Sequence, residues 1–136
     1  MIRTELLEVL RNWNQSQALL RNKEKEAIKR NEVFRLKNKV GSKDPVYLAN
    51  KVKVRHNENP TVKLIVERLP ELIHQALILD KKDFLVKGSV GNGRISDIPW
   101  IAIYHKSVTT RATKGYYPVF LFNDDCSGIH LSFLLG

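Results

Sequence analysis

Between Leu79 and Phe84 the chain changes its hydrophobic period, and this one switch sets the order of its architecture. Upstream, apolar residues recur at three- and four-residue spacing, the mark of helices with a buried face. Downstream they gather in short runs rich in Phe, Val, Ile and Tyr at residues 84–90, 98–104, 116–123 and 128–134, parted by Gly, Asn, Asp and Ser clusters. That is the pattern of an antiparallel sheet, with Asn123-Asp124-Asp125-Cys126-Ser127-Gly128 as a hairpin turn. Helices first and strands second predict an α+β fold, N-terminal helices packed on a C-terminal antiparallel β-sheet, rather than alternating βαβ units. We expect a single domain over residues 1–136, helical over about 1–80 and sheet over about 84–136. The ending Phe133-Leu134-Leu135-Gly136 lacks a polar tail, which suggests a fragment of a longer protein.

Within the helical part, Ile2, Leu6, Val9, Leu10 and Trp13 predict an amphipathic helix over 2–13, which Asn14-Gln15-Ser16-Gln17 weakens. A second helix is predicted over about 17–39, with Leu20, Ala27 and Phe34 seven apart in register with Leu6 and Trp13. The partner heptad position runs from Val9 to Ser16, Lys23 and Arg30, too polar for a coiled coil. The stretch therefore reads as a helix laid on the domain, with its many lysines and arginines mostly solvated. Asp44-Pro45 and Asn59-Pro60 each place a capping side chain before a first-turn proline. Beyond them, apolar residues from Val62 to Leu79 form the main core helix, which Pro70 is expected to kink or restart because it lacks an amide hydrogen.

Charge narrows the class of partner. Lys and Arg outnumber Asp and Glu 23 to 14, a net +9, and the excess is uneven. Residues 1–60 hold 14 basic against 7 acidic side chains, while residues 61–136 hold 9 against 7. Such a field favours a polyanion, though solvated basic helices also occur in proteins that bind none. No apolar run approaches the ~20 residues needed to span a bilayer, and the N-terminus has no signal-peptide pattern. Together with a lone cysteine, Cys126, this predicts a cytoplasmic protein without a membrane partner.

Three glycines, Gly88, Gly91 and Gly93, lie just ahead of Ile98-Pro99-Trp100-Ile101-Ala102. Glycines allow positive φ and close approach of a ligand, and Lys87 and Arg94 beside them would suit a phosphate. The alternative is a glycine-tolerant connection between two strands. The spacing gives neither GxGxxG nor GxxxxGK[ST], so a dinucleotide fingerprint and a P-loop are both excluded.

The stretch Lys87-Gly88-Ser89-x-Gly91-x-Gly93, the Ile98-Pro99-Trp100-Ile101-Ala102 step, Lys114-Gly115-Tyr116-Tyr117-Pro118-Val119-Phe120-Leu121-Phe122 and Gly128-Ile129-His130-Leu131-Ser132 resemble, in order, the N-terminal DNA-binding domain family of McrB. The resemblance covers about the last fifty residues. It implies recognition of double-stranded DNA carrying modified cytosine by base flipping, in a restriction system whose nuclease or GTPase is a separate module. Carried over residue by residue, it implies a base pocket at Trp100 and Leu121 and a DNA-contacting loop of Lys87, Ser89, Gly91, Asn92, Gly93 and Arg94. Asn92 departs from the family pattern, because it stands where an aromatic wedge would fill the space left by the flipped base. A pocket of this kind needs an aromatic face for stacking and a tight wall for a methyl group. By residue type alone, Trp100 and Leu121 read as ordinary strand core.

Catalytic chemistry has thinner support. Asp80-Lys81-Lys82 contains an Asp-x-Lys that, with Glu67 or Glu71, would suit a metal-dependent nuclease, but a charged helix end explains it as well. His56, His74, His105 and His130 lack zinc-ligand spacing. We expect no catalytic residue, cofactor or metal in this domain. The alternatives are a nuclease-linked fragment that cuts with Asp80 or its neighbours, and a basic module that docks an acidic protein.

Overall fold

A computed structural model describes residues 2–136 of the chain. It opens with α1 (Ile2–Asn38), one continuous helix of 37 residues where two were expected. Within the stretch 14–17, Asn14 and Gln15 are exposed, while Ser16 and Gln17 bond to other parts of the fold rather than to their own backbone. Ser16 Oγ donates to Thr61 Oγ1 at 2.9 Å, and Gln17 Nε2 donates to the carbonyls of Ser96 and Asp97 at 2.6 and 2.9 Å. The seven-residue stripe is the buried one: Trp13, Leu20 and Ala27 are buried, and Leu6 and Phe34 half-buried.

Both proline-led starts form as expected. Asp44 caps α2 (Pro45–Asn50) by accepting from Val46 N at 2.8 Å, and Asn59 caps α3 (Pro60–Lys63) by accepting from Thr61 N and Val62 N at 2.9 and 3.2 Å. Tyr47 of α2 is buried with the Arg35 guanidinium 5.6 Å from its ring centre, which holds α2 against α1. After α3 the chain widens into one π-helical turn, Leu64–Arg68, before α4 (Leu69–Ala76). The π turn sits directly ahead of Pro70, where Leu69 N donates to Leu64 O, so the missing proline amide is met by a change of helical pitch. The core helix stops at Ala76, short of the expected Leu79. Ile78 takes φ 52° and is 91% exposed, while Ile78 N and Leu79 N return to the carbonyls of Gln75 and His74 at 3.3 and 2.9 Å. This is the Schellman arrangement that ends helices, here with isoleucine where glycine is usual.

The four strands are β1 (Phe84–Ser89), β2 (Trp100–His105), β3 (Tyr116–Phe122) and β4 (Ile129–Leu135), an antiparallel meander in the order β1-β2-β3-β4. On the helix side, Val9, Trp13 and Leu20 of α1 join Ile65, Leu69 and Ile73 and the sheet residues Val86, Ile101, Ile103 and Phe122 in one core. Gly88 makes the closest approach there: a Cβ on it would lie 1.8 Å from the Ile65 carbonyl oxygen. Its glycine character therefore belongs to the packing of β1 against the π turn. The outer face carries a second, smaller cluster of Ala102, Tyr104, Tyr117 and Val119, with Leu85, Trp100, Ala112 and Leu121 against it.

Candidate nucleic-acid interface

Strand register decides which candidate residues meet. Trp100 pairs with Ser89 of β1 on one side and with Leu121 of β3 on the other, and Leu121 pairs in turn with His130 of β4. Residues directly opposite each other share a face, so Ser89, Trp100, Leu121 and His130 form one row across the outer face of the sheet. Lys87, paired with Ala102, lies one step along on the same face and is exposed. At the other end of this face, Tyr117 Oη donates to Ala112 O at 2.9 Å and fastens the 106–115 connection over Tyr104 and Tyr117. The Trp100 end lacks that cover. There an open recess of about 390 Å³ is lined by Ile98, Trp100, Leu121, Phe122, Asn123, Asp124 and His130. Trp100 and Leu121 are both half-buried, neither sealed in the core nor fully in solvent.

Lys87 and Ser89 belong to β1, and the connecting loop proper spans residues 90–99. Its shape is set locally. Ser96 N donates to Val90 O at 2.7 Å, Gly91 takes φ 114° and Gly93 φ 80°. A Cβ at Gly91 would lie 2.1 Å from the Arg94 carbonyl oxygen, so the turn tolerates only glycine there. Ser89 Oγ accepts from Gly91 N at 3.3 Å at the start of the turn. Asn92 and Arg94 are exposed at the tip, while Val90 and Ile95 are buried at its base.

The loop is fastened to α1 along three turns of helix. Trp13 Nε1 donates to Asp97 O at 3.1 Å, Gln17 reaches the Ser96 and Asp97 carbonyls, and Arg21 forms an ion pair with Asp97. One turn further on, Glu24 Oε1 accepts from Ile95 N at 2.6 Å and from His56 Nε2 at 2.7 Å. Residues 51–54 are held alongside by Asn31, whose amide exchanges two bonds with Val52, Nδ2 to O at 3.0 Å and N to Oδ1 at 2.7 Å. These contacts were not legible in the sequence, where neither Glu24 nor Asn31 stands in a recognisable motif.

Several of the other titratable groups take structural partners. Lys81 Nζ pairs with Glu71 at 2.7 Å and holds its carboxyl below the ordinary glutamate range, and Asp80 accepts from Lys82 N at 2.8 Å. His74 Nδ1 lies 3.1 Å from Leu79 O, and His105 stacks edge-on against Phe84. Ser127 bonds the Asp125 carboxyl and lowers it, while burial pushes the Cys126 thiol up. Among the described residues no group of three His, Cys, Asp or Glu side chains stands close enough to hold a metal ion, and no helix is long and apolar enough to cross a membrane.

No curated protein and no solved structure matches the chain. Residues 44–136 match the family model described as MrcB-like, N-terminal domain. The matched part takes in α2 through β4 and leaves out α1, which nevertheless shares their core. Over more than half its length, then, this chain carries the signature of one family, and it belongs to the MrcB-like N-terminal domains.

Proposed function

We propose that this domain recognises double-stranded DNA carrying modified cytosine and receives the flipped base in the recess between Trp100 and Leu121. It serves as the recognition part of a restriction system, with the nuclease or GTPase supplied by another module. Membership of the MrcB-like N-terminal family supports the restriction setting, and the open row of Trp100, Leu121 and His130 carries the base-flipping step. A recess of about 390 Å³ falls within the ~300–1,000 Å³ usual for small-ligand clefts. Trp100 supplies a stacking face and Leu121 an apolar wall for a methyl group, while Asp124 at the rim is an acceptor suited to an exocyclic amine. Exposed Lys87 and Arg94 supply positive charge at the sheet edge and the loop tip, and exposed Asn92 offers a hydrogen-bonding side chain that cannot stack.

The alternative in which this chain itself cuts DNA at Asp80 is less favoured, because Lys81 is paired to Glu71 and Asp80 caps its own turn. The test is binding to matched duplexes with unmodified, 5-methyl, 5-hydroxymethyl or N4-methyl cytosine, each also carrying 2-aminopurine beside the target. A methyl group seated on Leu121 contributes about 0.8 kcal/mol, a preference of roughly fourfold. Leu121→Phe is expected to erase that preference with the fold intact, and Trp100→Ala to abolish both specific binding and the 2-aminopurine signal. Parent-like binding of modified duplex by both variants would refute the pocket.

A further inference from the structure

The second large concavity lies outside the base recess, between α1, residues 51–56 and the tip of the 90–99 loop. It measures about 800 Å³, with Ala27, Ile28, Val52 and Val54 among its lining residues. Lys25, Lys51, Lys53 and Arg94 also line it, all exposed and none with a carboxylate within ion-pair distance among the described residues. Arg21 is there too, already paired with Asp97. The one carboxylate in the lining is Glu24, and both of its bonds, to Ile95 N and His56, point into the protein. Its side chain is only 14% exposed, so the groove presents positive charge to solvent with little to offset it.

We infer that this groove is a binding track for the phosphate backbone of nucleic acid, with α1 and residues 51–53 gripping one strand beside the recognition loop. The inference rests on the duplex-DNA reading above and extends it to a helix that lies outside the family match. From Arg21 to Asn31 the helix rises about 15 Å, at about 1.5 Å per residue. One strand of B-DNA carries a phosphate every ~3.4 Å of axis, so that length faces about four phosphates. Lys25 stands on that stretch of helix, and Lys51, Lys53 and Arg94 line the same groove from residues 51–53 and the loop tip. Continuity with the base recess favours DNA over an acidic protein. Arg94 lines the groove and Ile98 lines the recess, four residues apart in one loop and so at most about 14 Å from each other.

The experiment measures anisotropy of fluorescent 5-methylcytosine and unmodified duplexes between about 50 and 200 mM salt, with the full chain. Lys25→Ala/Lys51→Ala/Lys53→Ala is compared with the equally discharged Lys82→Ala/Arg111→Ala/Lys114→Ala, drawn from other surfaces. Each phosphate contact contributes about 0.9 to the log–log salt slope, or about 3.5-fold over that fourfold salt range. The groove variant is expected to flatten the slope by about 2 to 3, weaken both duplexes by the same factor and leave their ratio unchanged. The single variant Lys51→Gln should flatten it by about 1, which keeps the test decisive if the triple variant folds poorly. Unchanged affinity and slope in a parent that prefers modified DNA would overturn the groove and leave the base pocket standing, and binding of an acidic protein alone would then be its use. Equal losses in the two triple variants, or a loss confined to the modified duplex, would also overturn it. A parent that binds no duplex at all would overturn both readings.

Discussion

Gly88→Ala separates two meanings of the glycine-rich stretch. If Gly88 served to let a phosphate approach, alanine would weaken DNA binding and leave the fold untouched. In the structure the added Cβ would lie 1.8 Å from Ile65 O, 2.7 Å from Ile65 C and 3.2 Å from Val66 Cα. Ordinary carbon–oxygen contact begins near ~3.3 Å, so strand and π turn must separate by about 1.5 Å. Neither side yields cheaply, because the obstacle is backbone and because Ile65 and Val86 on the two elements are buried in the same core. Overpacking of this kind costs about 1–3 kcal/mol, and the backbone clash puts this case at the upper end. Alanine returns about 0.5–1 kcal/mol through lower chain entropy in a strand, leaving a net loss of about 2 kcal/mol. With an m-value of about 2 kcal/mol per M, the urea midpoint, read by circular dichroism, should fall by about 1 M. Gly93→Ala is the control: nothing lies within 4 Å of its Cβ, so the only cost is φ 80°, about 1 kcal/mol. A Gly88→Ala midpoint within about 0.3 M of the parent would refute the packing account.

Ile78 holds φ 52° while almost wholly exposed, so Ile78→Gly should raise stability by about 1 kcal/mol in the same urea assay, and a loss would mean that its side chain has a hidden contact. Tyr104 Oη is buried with no hydrogen-bond partner among the described residues, and burial, helped by neighbouring Tyr117, pushes its phenol up to about 12. The unfolded phenol ionises near its ordinary ~10, so parent stability should fall as pH rises from about 10 towards about 12, while Tyr104→Phe should be at least as stable near neutrality and show a shallower decline. Equal slopes in the two proteins would contradict the buried phenol. Removing residues 2–38 strips Val9, Trp13 and Leu20 from the core, so the family-matched part alone should show no cooperative unfolding transition; a sharp transition would show α1 to be dispensable. Glu24→Ala leaves Ile95 N without its acceptor, at about 1–3 kcal/mol, and should speed amide exchange at Ile95 before it changes the global midpoint.

What the sequence determined by itself was local. The helix starts at Pro45 and Pro60 follow from an Asp or Asn capping side chain two residues ahead of the amide it accepts. The disturbance before Pro70 follows from a missing amide hydrogen, and the four strands from apolar runs closed by turn residues. Signals of this kind act within a few residues, so they can be read without knowing where the rest of the chain lies. Only the tertiary structure decided matters that join distant residues. Residues 14–17 look like a helix break until the partners of Ser16 and Gln17, at Thr61, Ser96 and Asp97, are in place. Gly88 looks like a loop glycine until β1 meets the π turn, and a slip of one residue in strand register would send Trp100 and Leu121 to opposite faces. The basic groove is the furthest from view, because its cations come from α1, residues 51–53 and the loop tip, and only packing brings those three segments to one surface.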